Sequence, residues 1–119
     1  MKLRGKVVSG LKQGKKLGYP TANLDCADTP LPMPGVYAAK VRVEDNYRQA
    51  IAVVGARVEQ GKPLTEVLIL DFQGELYGLM LEVEILDKIS EIEKFDHDED
   101  LKNKIEKDID KAREYFSRH

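Results

Sequence analysis

The chain has one cysteine, no tryptophan, two histidines and only 7% aromatic residues among its 119 positions. Each scarcity removes a class of protein. The single Cys26 cannot form an internal disulfide, and no histidine near it in sequence marks it as a nucleophile, which points to a reducing compartment. Asp96-His97-Asp98-Glu99-Asp100 looks metal-binding at first. The only other histidine is the terminal His119, however, so a loop and helix cap is the better reading. No apolar run approaches the ~20 residues of a membrane helix. Met1 to Lys6 is followed by no apolar segment of a secretory signal, so a cytoplasmic location without membrane partners is expected. Acidic residues are absent before Asp25, which leaves Lys2, Arg4, Lys6, Lys12, Lys15 and Lys16 unopposed. That basic entrance suits an anionic ligand. The net charge is nevertheless −2. With no interleaving of basic and aromatic residues, nucleic acid is not the expected partner.

What is present lies between Gly10 and Asn23. Gly10, Gly14 and Gly18 allow a backbone to approach a ligand and turn its N–H groups toward an anion. Lys12, Lys15 and Lys16 supply point charges. Thr21 and Asn23, on one side of an extended segment after Pro20, offer oxygen ligands of the kind Mg²⁺ shares with phosphates. The spacing is neither a Walker A loop nor a GxGxxG fingerprint. From composition alone a phosphate cradle and a basic surface loop remain open. Taken by themselves, Thr21 and Asn23 are better read as closing a turn on their own backbone.

At 42% apolar and 34% charged, the chain reads as one globular domain over residues 1–119, expected to be monomeric. Strand patterns come first. They cover Leu3 to Ser9, Val36 to Val43, Ala50 to Val54, Thr65 to Phe72 and Tyr77 to Leu86. Glu44-Asp45-Asn46 is read as a hairpin turn, and residues from Arg57 to Leu64 as a flap. The period then changes. Leu101, Ile105, Ile109, Ala112 and Phe116 form the stripe of an amphipathic helix over Asp98 to Ser117, with Asp96 or Asp98 as its cap. The pattern leaves a small barrel and a sandwich both open.

Gly-x-x-x-Gly-x-x-x-Gly-Tyr-Pro-Thr-Ala-Asn-Leu, from Gly10 to Leu24, resembles the signature of the riboflavin kinases, including the kinase module of bifunctional riboflavin kinase/FAD synthetases. Four further blocks follow in family order. They are Pro34-Gly35-Val36-Tyr37-Ala38, Val54-Gly55-Ala56-Arg57, Glu66 to Phe72 with Leu76-Tyr77-Gly78, and the closing region of Lys94-Phe95-Asp96 and Asp108 to Arg113. The resemblance implies a six-stranded Greek-key β-barrel with a C-terminal helix. It also implies transfer of the ATP γ-phosphoryl group to the terminal ribityl hydroxyl of riboflavin, giving FMN and ADP. Mg²⁺ and phosphates would lie at Thr21 and Asn23, and Gly10, Gly14, Lys15, Gly18 and Pro20 would shape the nucleotide loop. The chain would be a kinase without the adenylyltransferase domain of the bifunctional enzymes, stopping at FMN. A non-catalytic flavin- or nucleotide-binding module on the same barrel is the alternative.

Glu66 is the family's base by this resemblance. Alternation puts it on the face of Leu68, Leu70 and Phe72, where a carboxylate is costly unless paired, protonated or functional. Periodicity alone favours an exposed strand end touching only water, and the resemblance reverses that reading. The chain departs from the family at several places. Val58-Glu59-Gln60 follows Arg57 where Pro-Thr is usual. Leu68 stands where histidine is common, and Ser90 where an arginine associated with flavin binding is usual. The nucleotide side is therefore better kept than the flavin side. Phe95, Tyr115 and Phe116 are read as packing residues.

Overall fold

The computed structural model describes residues 1–10, 18, 19, 21–26, 29–72, 74 and 76–119, and for residues 9 and 10 the backbone alone. Six strands form a closed barrel: β1 (Lys2–Gly10), β2 (Ala22–Asp25), β3 (Gly35–Val43), β4 (Asn46–Glu59), β5 (Lys62–Ile69) and β6 (Met80–Ser90). One helix, α1 (Asp98–Arg118), follows. The order around the barrel is β1-β2-β5-β4-β3-β6, and every pairing is antiparallel. β3, β4 and β5 form a meander, and β6 returns to lie beside β3. That is the Greek-key arrangement, and β1 seals it by pairing with both β6 and β2. No helix among the described residues is long and apolar enough to cross a membrane.

Closure dictates the composition of the interior. A barrel of six strands is narrower than an eight-stranded one, so inward positions must mix small and branched residues. Ala22, Ala39, Ala50 and Ala52 alternate inward with Leu24, Val41, Val67, Leu81 and Val83 in one buried cluster. The outer face would be polar all round if it met only water. On β3, β4 and β5 it is not. Val36, Ile51, Val53 and Leu68 point outward and form a second cluster with Ile109, Ala112 and Phe116 of α1. The helix thus covers one side of the barrel, and the predicted stripe is the face that does so.

One expectation differs from the structure. The helix is capped by His97, whose side chain makes no capping hydrogen bond, and Asp98 falls in the first turn with Glu99 and Asp100. Those carboxylates act on the positive helix end without the Asx-type cap that was expected. The proposed flap from Arg57 to Leu64 is the end of the β4–β5 hairpin, paired as Arg57↔Leu64, Val58↔Pro63 and Glu59↔Lys62. Gln60 and Gly61 close it with positive φ at both, the conformation of a type I′ turn.

The β4–β5 register shifts between Val53 and Arg57, and Gly55 has φ +88° there. A Cβ at Gly55 would lie 2.7 Å from Pro34 Cβ. The bend in β4 and the proline before β3 therefore lock two of the blocks that carry the family resemblance against each other.

Candidate active site

Register sets the site. Across the sheet, Asn23 of β2 pairs with Glu66 of β5, Glu66 with Val53 of β4, Val53 with Val36 of β3, and Val36 with Ser90 of β6. Directly paired residues present their side chains on one face. Val36 and Val53 place that face outside the barrel, under α1. Leu64, Thr65, Val67 and Ile69 are the buried residues of β5, and from Thr65 onward they alternate with Glu66 and Leu68. Glu66 therefore shares a face with Leu68 as expected, but that face looks toward the helix, not into the barrel. The alternation does not run on to Phe72. β5 ends at Ile69, Asp71 has φ +55°, and Phe72 packs on the interior cluster instead.

Between the outer barrel face and α1 lies a cavity of about 150 Å³, bounded by Thr21 and Glu66 and, from the helix, by Leu101, Lys104, Ile105 and Asp108. Its floor is Val36, Ile51, Val53 and Leu68. Burial pushes the Glu66 carboxyl above the usual carboxylate range. The Arg57 guanidinium pulls it part of the way back. Arg57 itself is held by Glu59, at 3.0 and 3.2 Å.

Thr21 lies at the mouth of β2, and its Oγ1 is buried with no hydrogen-bond partner among the described residues. A buried hydroxyl left this way costs on the order of 1–3 kcal/mol unless a ligand satisfies it. Asn23, two residues on, is fully buried and faces Glu66 across the β2–β5 pair. Gly18 has φ +89° with open space where a Cβ would point. Beside it, burial and the Glu106 carboxylate of α1 push the Tyr19 phenol upward, which sets that residue near the helix. The structure thus brings Thr21, Asn23 and Glu66 together, and Gly10 lies at the end of β1, paired with Ala22. Gly14, Lys15 and Pro20, along with Lys12 and Lys16, lie outside the described residues. Phe95 is half-buried and is not part of the cavity wall, whereas Phe116 packs between helix and barrel.

Lys104 is not singled out by the sequence, and Asp108 enters there only as the start of the closing block of the resemblance. Their i, i+4 spacing looks like an ordinary solvated helix pair, and only the three-dimensional pairing with Ser90 distinguishes them. No group of three or more His, Cys, Asp or Glu side chains among the described residues could hold a metal. A cation here would instead take neutral oxygens such as Thr21 Oγ1 and the Asn23 amide, with the remaining ligands from phosphate. Mg²⁺ takes oxygen ligands and shares them with phosphates, and these residues fit that requirement.

The fold and this site define a six-stranded barrel with a carboxylate at one end of an apolar cavity, and comparison gives the family. The family model for riboflavin kinase (Flavokinase) matches residues 1–116. The chain belongs to the riboflavin kinase family. It is 39% identical over 116 residues to the bifunctional riboflavin kinase/FMN adenylyltransferase of Haemophilus influenzae, covering 95% of this chain and 38% of that protein. The chain thus spans well under half the length of that relative. A crystal structure of a Streptococcus pneumoniae protein, described as a macrolide-efflux protein, superposes with a TM-score of 0.85 at 36% identity, over 94% of this chain and 38% of that one. Riboflavin kinase from Trypanosoma brucei superposes at a TM-score of 0.67 and 24% identity, over 98% and 79% of the two chains. This last likeness bears on the fold, and the fold is the six-stranded barrel that the family resemblance implied.

Proposed function

We propose that this chain is an ATP-dependent riboflavin kinase, with Glu66 as the general base that takes the proton of the terminal ribityl hydroxyl. The observation that carries the reading is the placement of a half-buried carboxylate beside Thr21 and opposite Asn23, at one end of an apolar cavity. A base needs a pKa near the working pH, and partial burial raises a carboxylate in that direction. Its neighbour Arg57 favours the ionised form. The apolar floor of Val36, Val53 and Leu68 suits the face of a tricyclic ring and excludes water from the acceptor hydroxyl.

Thr21 Oγ1 and the Asn23 amide oxygen would hold Mg²⁺ together with the ATP phosphates. When bound, the ion neutralises the charge of the transferring phosphoryl group. Gly10, Gly14, Lys15, Gly18 and Pro20 would form the nucleotide loop.

The reading is tested by incubating the protein with riboflavin, ATP and Mg²⁺ and separating the flavins chromatographically. FMN should form, and Asn23→Ala should raise the Mg²⁺ and ATP required while leaving riboflavin binding, followed by flavin fluorescence, intact. Binding without FMN formation would replace the kinase reading with the flavin-binding module.

A further inference from the structure

A bend in β4 brings a cation to the face that carries Glu66. Between the pairs Val53↔Glu66 and Arg57↔Leu64, residues 54–56 of β4 stand opposite Thr65 alone of β5. A bulge of this kind bends its strand and re-aims the side chains beyond it. Gly55, at φ +88°, and Pro34 packed against it hold the bend in place. Beyond the bulge Arg57 lies directly opposite Leu64, two residues along β5 from Glu66. Arg57 is therefore the diagonal neighbour of Glu66 on one face. Such neighbours lie about 7–8 Å apart, within reach of a long side chain.

The guanidinium is held on one side only. Its Nε and Nη2 both donate to a single oxygen, Glu59 Oε1, at 3.2 and 3.0 Å. The end-on fork of Nη1 and Nη2 has no partner among the described residues, although a guanidinium carries five N–H donors. The Arg57 and Glu59 side chains are 35% and 44% exposed, and a pair so exposed adds little to stability. Its position is the informative part.

Phosphoryl transfer has a need at this position. The γ-phosphoryl group must approach a hydroxyl that is itself held by a carboxylate, so two anionic groups meet across one oxygen atom. Thr21 and Asn23 would meet the phosphates from the β2 side of Glu66, and Arg57 stands on the β4 side. We propose that Arg57 is a further catalytic residue, whose open fork donates to two equatorial oxygens of the γ-phosphoryl group while Glu59 anchors its other side. A planar fork suits two phosphoryl oxygens at once. The acceptor oxygen bonds to phosphorus as the bond to the bridging oxygen of ADP breaks. The electron pair of that bond stays on ADP, the acceptor's proton passes to Glu66, and the guanidinium meets the charge on the equatorial oxygens. This role rests on the kinase reading and adds a group to it.

Arg57→Met is compared with the wild type in two measurements. The first is kcat for FMN formation across pH, up to the plateau where Glu66 is fully ionised. The plateau should fall by about 10²–10³, the usual effect of removing one donor to a developing oxyanion. An arginine that acted only by favouring the ionised form of Glu66 would shift the pH profile and leave the plateau at the wild-type rate, and that result would overturn the proposal. The second is nucleotide binding by calorimetry in the presence of Mg²⁺. ATP should bind the variant about tenfold more weakly, whereas ADP, which lacks the γ-phosphoryl group, should bind within about twofold of wild type. An equal effect on ATP and ADP would overturn the contact. Should Arg57→Met not fold, Arg57→Lys keeps the charge without the fork and should recover only part of the plateau rate. A lysine variant at the wild-type rate would overturn the role of the fork. Absence of FMN formation by the wild type would remove the kinase reading, and the comparison of ATP with ADP would still decide the phosphoryl contact.

Discussion

Lys104→Met tests the burial of the pair between helix and barrel. The substitution keeps an unbranched side chain of similar reach but leaves the Asp108 carboxylate at 10% exposure with only the Ser90 hydroxyl. Removing one member of a buried pair costs about 3–5 kcal/mol, because the remaining charge is desolvated without compensation. Asp108 cannot escape by rotating into water, since its residue as a whole is only 7% exposed and sits beside Ala112 at the centre of the helix contact. For a chain of this size each kcal/mol moves Tm by about 3–5 °C, so a fall of about 10–20 °C is expected. Adding Asp108→Leu should restore most of it, because the charge-free pair has no such penalty. The assay is thermal unfolding followed by circular dichroism at neutral pH for the wild type, the two single variants and the double. A Lys104→Met protein within 3 °C of wild type, or single losses that simply add in the double, would refute the claim that these two groups are buried together.

The sign of the Glu66 shift gives a second prediction. Its carboxyl titrates above the usual range, so the folded state holds a proton that the unfolded chain releases. Stability therefore falls as pH rises between the unfolded and folded values. Glu66→Gln should be more stable than wild type at neutral pH, and the difference should vanish in acid, below the ordinary glutamate range. Denaturant unfolding across pH would show the opposite trend if Glu66 were favourably paired. Gly55→Ala should cost at least about 1–2 kcal/mol, since it requires φ near +88° from an L-residue and drives a Cβ against Pro34. An unchanged urea midpoint would contradict that geometry. Arg113→Ala should change stability by less than about 1 kcal/mol, because its bidentate pair with Asp71 is 47% and 75% exposed. A larger loss would mean that the loop after β5 depends on this contact.

The barrel strands were legible because alternation survives wherever one face is interior, as in Tyr37, Ala39, Val41 and Val43 of β3. The helix was legible because its stripe has a single partner surface. The orientation of Glu66 was not. On β5 both faces are covered, Val67 by the barrel interior and Leu68 by the helix, and a strand buried on both sides carries no periodic sign of which face is which. The cap was misplaced because sequence rules favour Asp at a helix start, whereas here the chain enters through His97 in an extended conformation. Strand β2 is only four residues long, and its sequence reads as the continuation of a loop. Thr21, Asn23 and Glu66 became a site through the resemblance, since 43 positions separate Asn23 from Glu66 and only the β2–β5 register joins them. Ser90 and Asp108 stood out only through the resemblance, and nothing local joins them to each other or to Lys104. A serine at a strand end and two charges one helical turn apart are individually unremarkable, and the packing of α1 on the barrel makes them a unit.

The most direct test of the central claim is the rate of FMN formation from riboflavin, ATP and Mg²⁺ by the wild-type protein and by Glu66→Gln, with riboflavin affinity measured in parallel. The account predicts steady FMN production by the wild type. It predicts a fall in kcat of about 10²–10⁴ in the variant, the usual contribution of a general base, with riboflavin affinity unchanged within a few-fold. A Glu66→Gln protein that makes FMN at the wild-type rate would contradict the assignment of the base.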